Sequence, residues 1–262
     1  MNDRPGEGTD ARTERKTGDT KPVSAALVGA TGGAGATRLT VEVGACLSRE
    51  GHRVAAFDAA FATQGMADHV EGPVDPDVTD LLSGDLTPAS AMVEYPVPGG
   101  DGELYLCPAR APFGDLARAK TGDAARRLER VLYDARDAFD HVLVDVPPVA
   151  SNPAVAAVTA ADRVAIVAPP TARGTDAVQR MTDRLVDVGT RGDLVVANRG
   201  RHESLSPDVV VPEGPESVAG RDGDRDREFD AGIARLAGLL FDVEFDVDRS
   251  GGVLDRLGVE KL

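Results

Sequence analysis

A glycine-rich turn between an apolar run and a helical pattern is the segment of this sequence best suited to bind an anion. The turn, GATGGAGAT at residues 29–37, follows the run VSAALV at residues 23–28. Glycines let backbone N–H groups approach a phosphate, and the N-terminus of a following helix adds partial positive charge. The residues predicted to surround the anion are Gly32, Gly33, Ala34, Gly35, Ala36, Thr37 and Arg38.

The turn lacks the charge that phosphate-binding loops usually supply. In the P-loop motif G-x-x-x-x-G-K-[ST], the lysine neutralises the phosphates and the hydroxyl holds Mg²⁺. Thr37 keeps the hydroxyl here, but Ala36 stands in the lysine position and Ala30 in that of the first glycine. Arg38 lies one residue further on. Because a helix turns about 100° per residue, we expect its side chain to point away from the phosphates.

The same glycines leave a dinucleotide interpretation open. Gly29, Gly32 and Gly35 follow the spacing G-x-x-G-x-x-G, which resembles the turn of short-chain-dehydrogenase-like NAD(P) proteins. Asp58 ends the next apolar run, in position to hydrogen-bond a ribose hydroxyl. Against an oxidoreductase, no tyrosine in the sequence has a lysine four residues later. A turn that binds no ligand is the third interpretation.

Short apolar runs alternate with amphipathic helical patterns from Val23 onward. Strands are predicted at Ser24–Gly29, Arg53–Asp58, Leu104–Pro108, His141–Asp145, Arg163–Ala168 and Leu194–Ala197. Helices are predicted near residues 37–50, 77–83, 122–138, 152–160, 174–188 and 228–240. This alternation predicts a doubly wound α/β fold, with a mainly parallel sheet and helices on both faces. Ligands in such folds bind at the carboxyl ends of the strands.

Three downstream segments resemble, in order, the MinD/ParA family of deviant Walker ATPases. Residues 139–148 (FDHVLVDVPP) resemble its strand ending in D-x-P-P, residues 161–170 (ADRVAIVAPP) its ADxVxxVxxP strand, and residues 195–199 (VVANR) its N-R strand end. The resemblance covers about residues 22–200. It implies a P-loop NTPase-like fold, ATP or ADP with Mg²⁺ as ligand, and a role in placing division, partitioning, chemosensory or surface-filament structures.

The resemblance also implies roles for individual residues. Thr37, Asp58 and Asp145 would lie at a Mg²⁺ ion that accompanies the nucleotide. Asn198 would read the adenine edge, since an amide both accepts and donates hydrogen bonds, and Arg199 would lie beside it. Together with the glycine turn, these residues make up the predicted site.

Three positions depart from the family pattern. Thr31 and Ala36 replace the two lysines of K-G-G-x-G-K-T, and Ala60 replaces the second aspartate of D-x-D, which orients the attacking water. One cation at a transferring phosphate is commonly worth roughly 10³-fold or more in rate. We therefore expect no useful hydrolysis and no catalytic residues. Weak binding of ATP or ADP and an empty pocket both remain open, so the predicted function is that of a regulator or scaffold, with NAD(P) binding as the alternative.

Composition limits the partners. The net charge of −15 and the pI near 4.7 argue against a nucleic-acid-coating protein. The resemblance instead implies protein partners, a homodimer among them. Only four of the 29 basic residues are lysines, which resembles the composition of proteins from salt-loving archaea. No apolar run reaches the length of a membrane span, so we expect a cytoplasmic protein without membrane contact.

The chain divides into four predicted parts. Residues 1–21 are polar and are expected to form a disordered tail. Residues 22–200 form the nucleotide-binding-type domain, and residues 201–227 form an irregular acidic loop. Residues 228–262 supply a C-terminal helix and tail that pack on the same domain.

Overall fold

Eight strands form one sheet in this computed structural model, which describes residues 23–84, 86–220, 223 and 225–245. The strands are β1 (Ser24–Gly29), β2 (Arg53–Asp58), β3 (Val93–Tyr95), β4 (Glu103–Cys107), β5 (His141–Val146), β6 (Arg163–Ala168), β7 (Leu194–Asn198) and β8 (Val209–Val211). The tail predicted at residues 1–21 and the end of the C-terminal tail lie outside the described residues.

Helices cover both faces of the sheet. They are α1 (Ala36–Arg49), α2 (Val78–Ser83), α3 (Phe113–Ala119), α4 (Gly122–Ala135), α5 (Asn152–Ala160), α6 (Ala172–Asp187) and α7 (Arg227–Phe241). Apolar side chains of α1 and α7 fill the core on one face, and those of α2, α4, α5 and α6 fill the core on the other. None of the described helices is long and apolar enough to cross a lipid bilayer.

The strand order places β5 between β1 and β2. The full order is β3-β4-β2-β5-β1-β6-β7-β8, and every pair is parallel except β3 with β4. In the usual dinucleotide-binding fold, β2 lies directly beside β1. Here β5 separates them, and its register sets Asp145 against Asp58 at the end of β2. The predicted fold class, a doubly wound and mainly parallel sheet, is confirmed.

Three short elements differ from the sequence-based prediction. The strands β3 and β8 have three residues each, and α3 has seven. The strand β8 lies inside the segment expected to be an irregular acidic loop, and it forms because Val209–Val211 pair with the exposed edge of β7. Runs this short carry no readable hydrophobic period, so their structure depends on the neighbour that they pair with.

Candidate phosphate-binding site

The glycine turn connects the end of β1 to the start of α1. Gly33 and Gly35 have φ angles of 75° and 90°, in the left-handed region that favours glycine. Ala30 donates its N–H to the carbonyl of Val167 on β6 (2.8 Å), which fixes the start of the turn to the sheet. The first helical bond of α1 runs from Leu39 N–H to the Gly35 carbonyl (3.0 Å). The turn therefore delivers the N-terminus of α1 to the carboxyl ends of the central strands.

The N-terminus of α1 has no cap of its own. Gly35 occupies the N-cap position and offers no side chain, and the first turn contains no acidic residue. Four other helices begin with a side chain that accepts a backbone N–H, namely Asp77 for α2, Thr121 for α4, Thr171 for α6 and Asp226 for α7. The first N–H groups of a helix have no partner within it. The helices α3 and α5 also begin without a side-chain cap, but at α1 the uncapped groups lie at the carboxyl ends of the central strands, where an anion can bind.

Thr37 and Asp145 meet directly at this N-terminus. The hydroxyl of Thr37 donates to Asp145 Oδ2 at 2.5 Å, across 108 positions of sequence. Asp145 is 1 % exposed, and Asp58 beside it is fully buried. The structure thus brings together the three residues that the sequence predicted around Mg²⁺.

The pKa values of both carboxyl groups are raised. Burial, with a smaller contribution from the charge of Asp58, raises the pKa of Asp145 to about 8, and the hydrogen bond from Thr37 opposes the shift. Burial likewise raises the pKa of Asp58 to about 6, against hydrogen bonds from the N–H groups of Ala109 and Ala60. Both Asp58 oxygens accept those bonds, at 2.7 Å from Ala60 and 3.2 Å from Ala109. Asp58 is therefore held by the backbone and acts on Asp145 mainly through its charge.

The donor chemistry of this cluster fits Mg²⁺. Hydroxyl and carboxylate oxygens are the ligands that this ion prefers, and it is commonly held by one or two carboxylates together with substrate phosphates. Among the described residues, no group of three or more His, Cys, Asp or Glu side chains is arranged to hold a metal by itself. The fit is thus to an ion that arrives with phosphates.

Arg38 points away from the turn. Its Nη2 donates to the carbonyl of Pro215 and lies 3.5 Å from Glu42 Oε1, and its guanidinium lies 5.3 Å from the ring centroid of Phe229 on α7. This is the direction that helix geometry predicts for the residue after Thr37. The expected direction of the Arg38 side chain is thus observed, and the place of Arg38 among the residues around the anion stays a prediction.

Asn198 and Arg199, at the end of β7, hold the turn from the side. Asn198 Nδ2 donates to the carbonyl of Ala34 (2.8 Å), and Arg199 Nη1 donates to that of Gly33 (3.3 Å). A Cβ added at Gly35 would come within 2.3 Å of Asn198 Nδ2, so glycine is required there for space as well as for φ. The Asn198 amide was predicted to face adenine, and one of its N–H groups is used in the hydrogen bond to Ala34.

Two contacts at the site were not predicted from the sequence. A Cβ added at Gly65 would lie 3.6 Å from Cγ2 and 3.7 Å from Oγ1 of Thr37, so the 3-10 turn Gly65–His69 covers the threonine. Pro215 receives the bond from Arg38 across 177 positions. Gly65 and Pro215 do not belong to a periodic hydrophobic pattern that would have predicted these contacts. The only sequence signal was that a glycine and a proline follow strands.

The three positions at which the sequence departs from the family pattern are partly or fully buried. Ala36 is 7 % exposed and opens α1, and Ala60 is 5 % exposed and follows Asp58 by two residues. Thr31 is half-buried, and its carbonyl accepts the N–H of Ala34. The side chains at these three positions are therefore uncharged in the folded protein.

Comparisons with known proteins agree with this geometry. The profile of the family described as AAA domain (AAA_31) matches residues 24–194. No curated protein sequence matches the chain significantly. Solved structures with the same fold include MinD of Aquifex aeolicus in a MinC:MinD cell division protein complex, with 21 % identity, 86 % of this chain and 98 % of that chain covered, and a TM-score of 0.67.

Two further structures extend the comparison. A ParA family ATPase from Chlorobium tepidum TLS has 15 % identity, covers 82 % of this chain and 98 % of its own, and gives a TM-score of 0.68. The septum site-determining protein MinD of Pyrococcus horikoshii OT3, complexed with Mg-ADP, has 20 % identity, coverages of 82 % and 94 %, and a TM-score of 0.62. The chain therefore belongs to the AAA domain family AAA_31 and has the P-loop fold of the MinD and ParA proteins, as its motifs predicted.

Proposed function

We propose that this chain is a MinD/ParA-like P-loop protein that binds ATP or ADP with Mg²⁺ but does not hydrolyse ATP at a useful rate. The observation that carries this proposal is the 2.5 Å hydrogen bond between Thr37 Oγ1 and Asp145 Oδ2 at an uncapped helix N-terminus. A hydroxyl and a carboxylate at that place are what a magnesium-bound nucleotide needs. Hydrolysis additionally requires the two lysines and the water-orienting aspartate, and this sequence has none of the three at the corresponding positions.

Each part of the site contributes separately to binding. Backbone N–H groups of the turn and the dipole of α1 attract the phosphates. Thr37 and Asp145 would hold Mg²⁺, which when bound would neutralise phosphate charge and the buried carboxylates. Asn198 and Arg199 fix the carbonyls of Ala34 and Gly33, and thereby keep the turn open to the ligand.

The absence of hydrolysis follows from charge and positioning. Phosphoryl transfer depends almost entirely on placing the nucleophile and stabilising the charge on the transferring group. Thr31 and Ala36 provide no cation, and Ala60 provides no carboxylate to orient water. Arg38 is committed to Pro215 and Glu42 and leaves the turn without a replacement.

A regulatory role is the corresponding cellular function. The names of the structural neighbours describe a MinC:MinD cell division complex and a MinD bound to Mg-ADP. By analogy, we propose that this chain acts through protein partners, a second copy of itself among them, and reports nucleotide occupancy in a system that places cellular structures. The analogy rests on fold, and the site residues above supply its physical basis.

Binding and turnover are tested separately. Thermal shift and calorimetry with ATP, ADP and NADH, with and without Mg²⁺ and at low and high salt, should show stabilisation by ATP or ADP that depends on Mg²⁺. Thr37→Val, which keeps the shape and removes the hydroxyl, should reduce that dependence. Phosphate release should stay at background. Mg²⁺-dependent ATP turnover that disappears in Asp145→Ala would overturn the proposal, as would stabilisation by NADH alone.

A further inference from the structure

A short segment after β8 crosses α1 and is held there by charged side chains of that helix. We call residues 213–220 the strap. Arg38 donates to the carbonyl of Pro215, and Glu42 Oε2 accepts the N–H of Ala219 at 3.1 Å. Arg49 donates to the carbonyl of Ala219. Three side chains along one helix therefore fasten the strap at two points.

Both backbone groups of Ala219 are hydrogen-bonded to side chains of α1. Its N–H goes to a carboxylate and its carbonyl to a guanidinium, while its side chain is fully buried. Its φ of 56° lies in the left-handed region, which is unfavourable for alanine. Glu42 and Arg49 thus hold both backbone groups of the residue that has this conformation.

Glu42 is the centre of the arrangement. It is 4 % exposed and burial raises its pKa, against the N–H of Ala219 and the charges of Arg38 and Arg49. Arg38 reaches it from the first turn of α1, immediately after the phosphate-binding turn. Arg38 therefore follows the anion site directly in sequence, while its side chain is directed to the strap.

The position of Arg38 couples the two regions electrostatically. A cation in the first turn of a helix is disfavoured by the helix dipole. A phosphate bound at that N-terminus supplies the opposite charge and favours an Arg38 held near its present place. Because coupling between two sites is reciprocal, the contacts that hold Arg38 on the strap strengthen phosphate binding by the same free energy.

We infer that the strap is coupled to the phosphate site. Nucleotide binding strengthens the attachment of the strap to α1 through Arg38 and Glu42, and we call this attachment the latch. The inference rests on the proposed nucleotide binding, because the phosphate is that of the ligand. The strap begins against Phe229 of α7 and crosses α1, so a partner protein that binds there would detect whether the strap is fastened.

Hydrogen exchange of the full chain, with and without ADP and Mg²⁺, tests the latch. In the unsubstituted protein, ADP should slow exchange of the Ala219 amide by about fivefold or more, the lower range of common coupling energies. Glu42→Gln should speed that exchange and abolish the slowing. Glu50→Gln, an exposed neighbour at the end of α1, serves as the matched control and should behave like the unsubstituted protein.

The affinity of Glu42→Gln for ADP decides between the latch and simple electrostatics. Loss of a negative charge near the phosphates would tighten ADP binding by itself, whereas loss of the latch should weaken it severalfold. Tighter binding, or ADP binding with unchanged Ala219 exchange, would overturn the latch and leave the proposed function standing. Absence of any ADP binding to the unsubstituted protein would instead overturn both, and calorimetry separates that case.

Discussion

Two clusters of charged side chains lie on different sides of α1, and they differ in how their charges are paired. On one side Thr37 donates its hydroxyl to Asp145, and the buried carboxylate of Asp58 lies alongside. On the other side Arg38 and Arg49 enclose Glu42 and the strap. Consecutive helix residues differ in direction by about 100°, which is why Thr37 and Arg38 belong to different clusters.

The difference identifies which cluster needs a ligand. In the cluster around Glu42, the carboxylate lies beside the Arg38 guanidinium, and Arg38 and Arg49 each donate to a backbone carbonyl, so opposite charges are already paired there. In the cluster around Asp145, burial and like charge raise the pKa of that group to about 8. A proton or a cation is therefore part of its stable state. The cation that many phosphate sites carry has been placed on the opposite side of the helix.

Adding a cation to the first cluster should produce the largest effect. Ala36→Lys restores the P-loop lysine, and Ala36→Met provides a side chain of similar length without charge. A charge-assisted hydrogen bond contributes about 1.5 to 3 kcal/mol, so we expect Ala36→Lys to bind ATP roughly 10- to 100-fold more tightly than Ala36→Met. Calorimetry measures the ratio. Equal affinities would mean that the phosphates do not lie at residue 36.

Removing a carboxylate from the same cluster should stabilise the fold at alkaline pH. The pKa of Asp145 is raised from 3.8 to about 8, so the folded state holds its proton more tightly than the unfolded chain does. That contribution is fully present below pH 3.8 and is lost as the pH rises through about 8. Asp145→Asn, which stays neutral, should raise the free energy of unfolding by about 1 to 3 kcal/mol near pH 9 and much less near pH 4.

Urea unfolding at several pH values measures this difference. Asp134→Asn, on the exposed face of α4, is the matched control and should leave the pH profile unchanged. A profile for Asp145→Asn that runs parallel to that of the unsubstituted protein would mean that Asp145 is ionised in the fold, and the two clusters would then not differ as described.

The central part of the fold could be predicted from the sequence because each inner strand is a continuous apolar run. The predicted bounds of β1, β2 and β6 are the observed ones. The edge strands β3 and β8 could not be predicted, because three residues carry no period and their structure comes from pairing with β4 and β7.

The site was predictable in its residue types and less so in its contacts. The approach of Asp145 to Thr37 followed from a family motif, but its pairing with Asp58 depends on the order of strands, which no local pattern encodes. The direction of Arg38 followed from helix geometry. Its partner Pro215 did not, because a contact across 177 positions is set by where the chain returns after β8.

Removing a cation from the second cluster should have the opposite sign to the change at Asp145. Arg49→Met deletes the donor to the Ala219 carbonyl while Arg38 still faces Glu42. Loss of one charged hydrogen bond to a partly buried carbonyl should lower the free energy of unfolding by about 1 kcal/mol. Urea unfolding near neutral pH checks this, with the exposed Arg180→Met on α6 as control. An unchanged or raised stability would show that the second cluster is not balanced.

The smallest change in the free energy of unfolding is expected for Arg199, whose exposed side chain contacts the glycine turn. Arg199 Nη1 donates to the Gly33 carbonyl at 3.3 Å in an exposed contact, whereas Asn198 is 4 % exposed and donates to Ala34 at 2.8 Å. Exposed charged contacts contribute little, so Arg199→Ala should change the free energy of unfolding by less than about 0.5 kcal/mol. Asn198→Ala should cost about 1 to 2 kcal/mol, because it leaves a buried carbonyl without its donor. Equal costs would mean that Arg199 supports the turn as firmly as Asn198, and that the phosphate cradle already contains a structural cation.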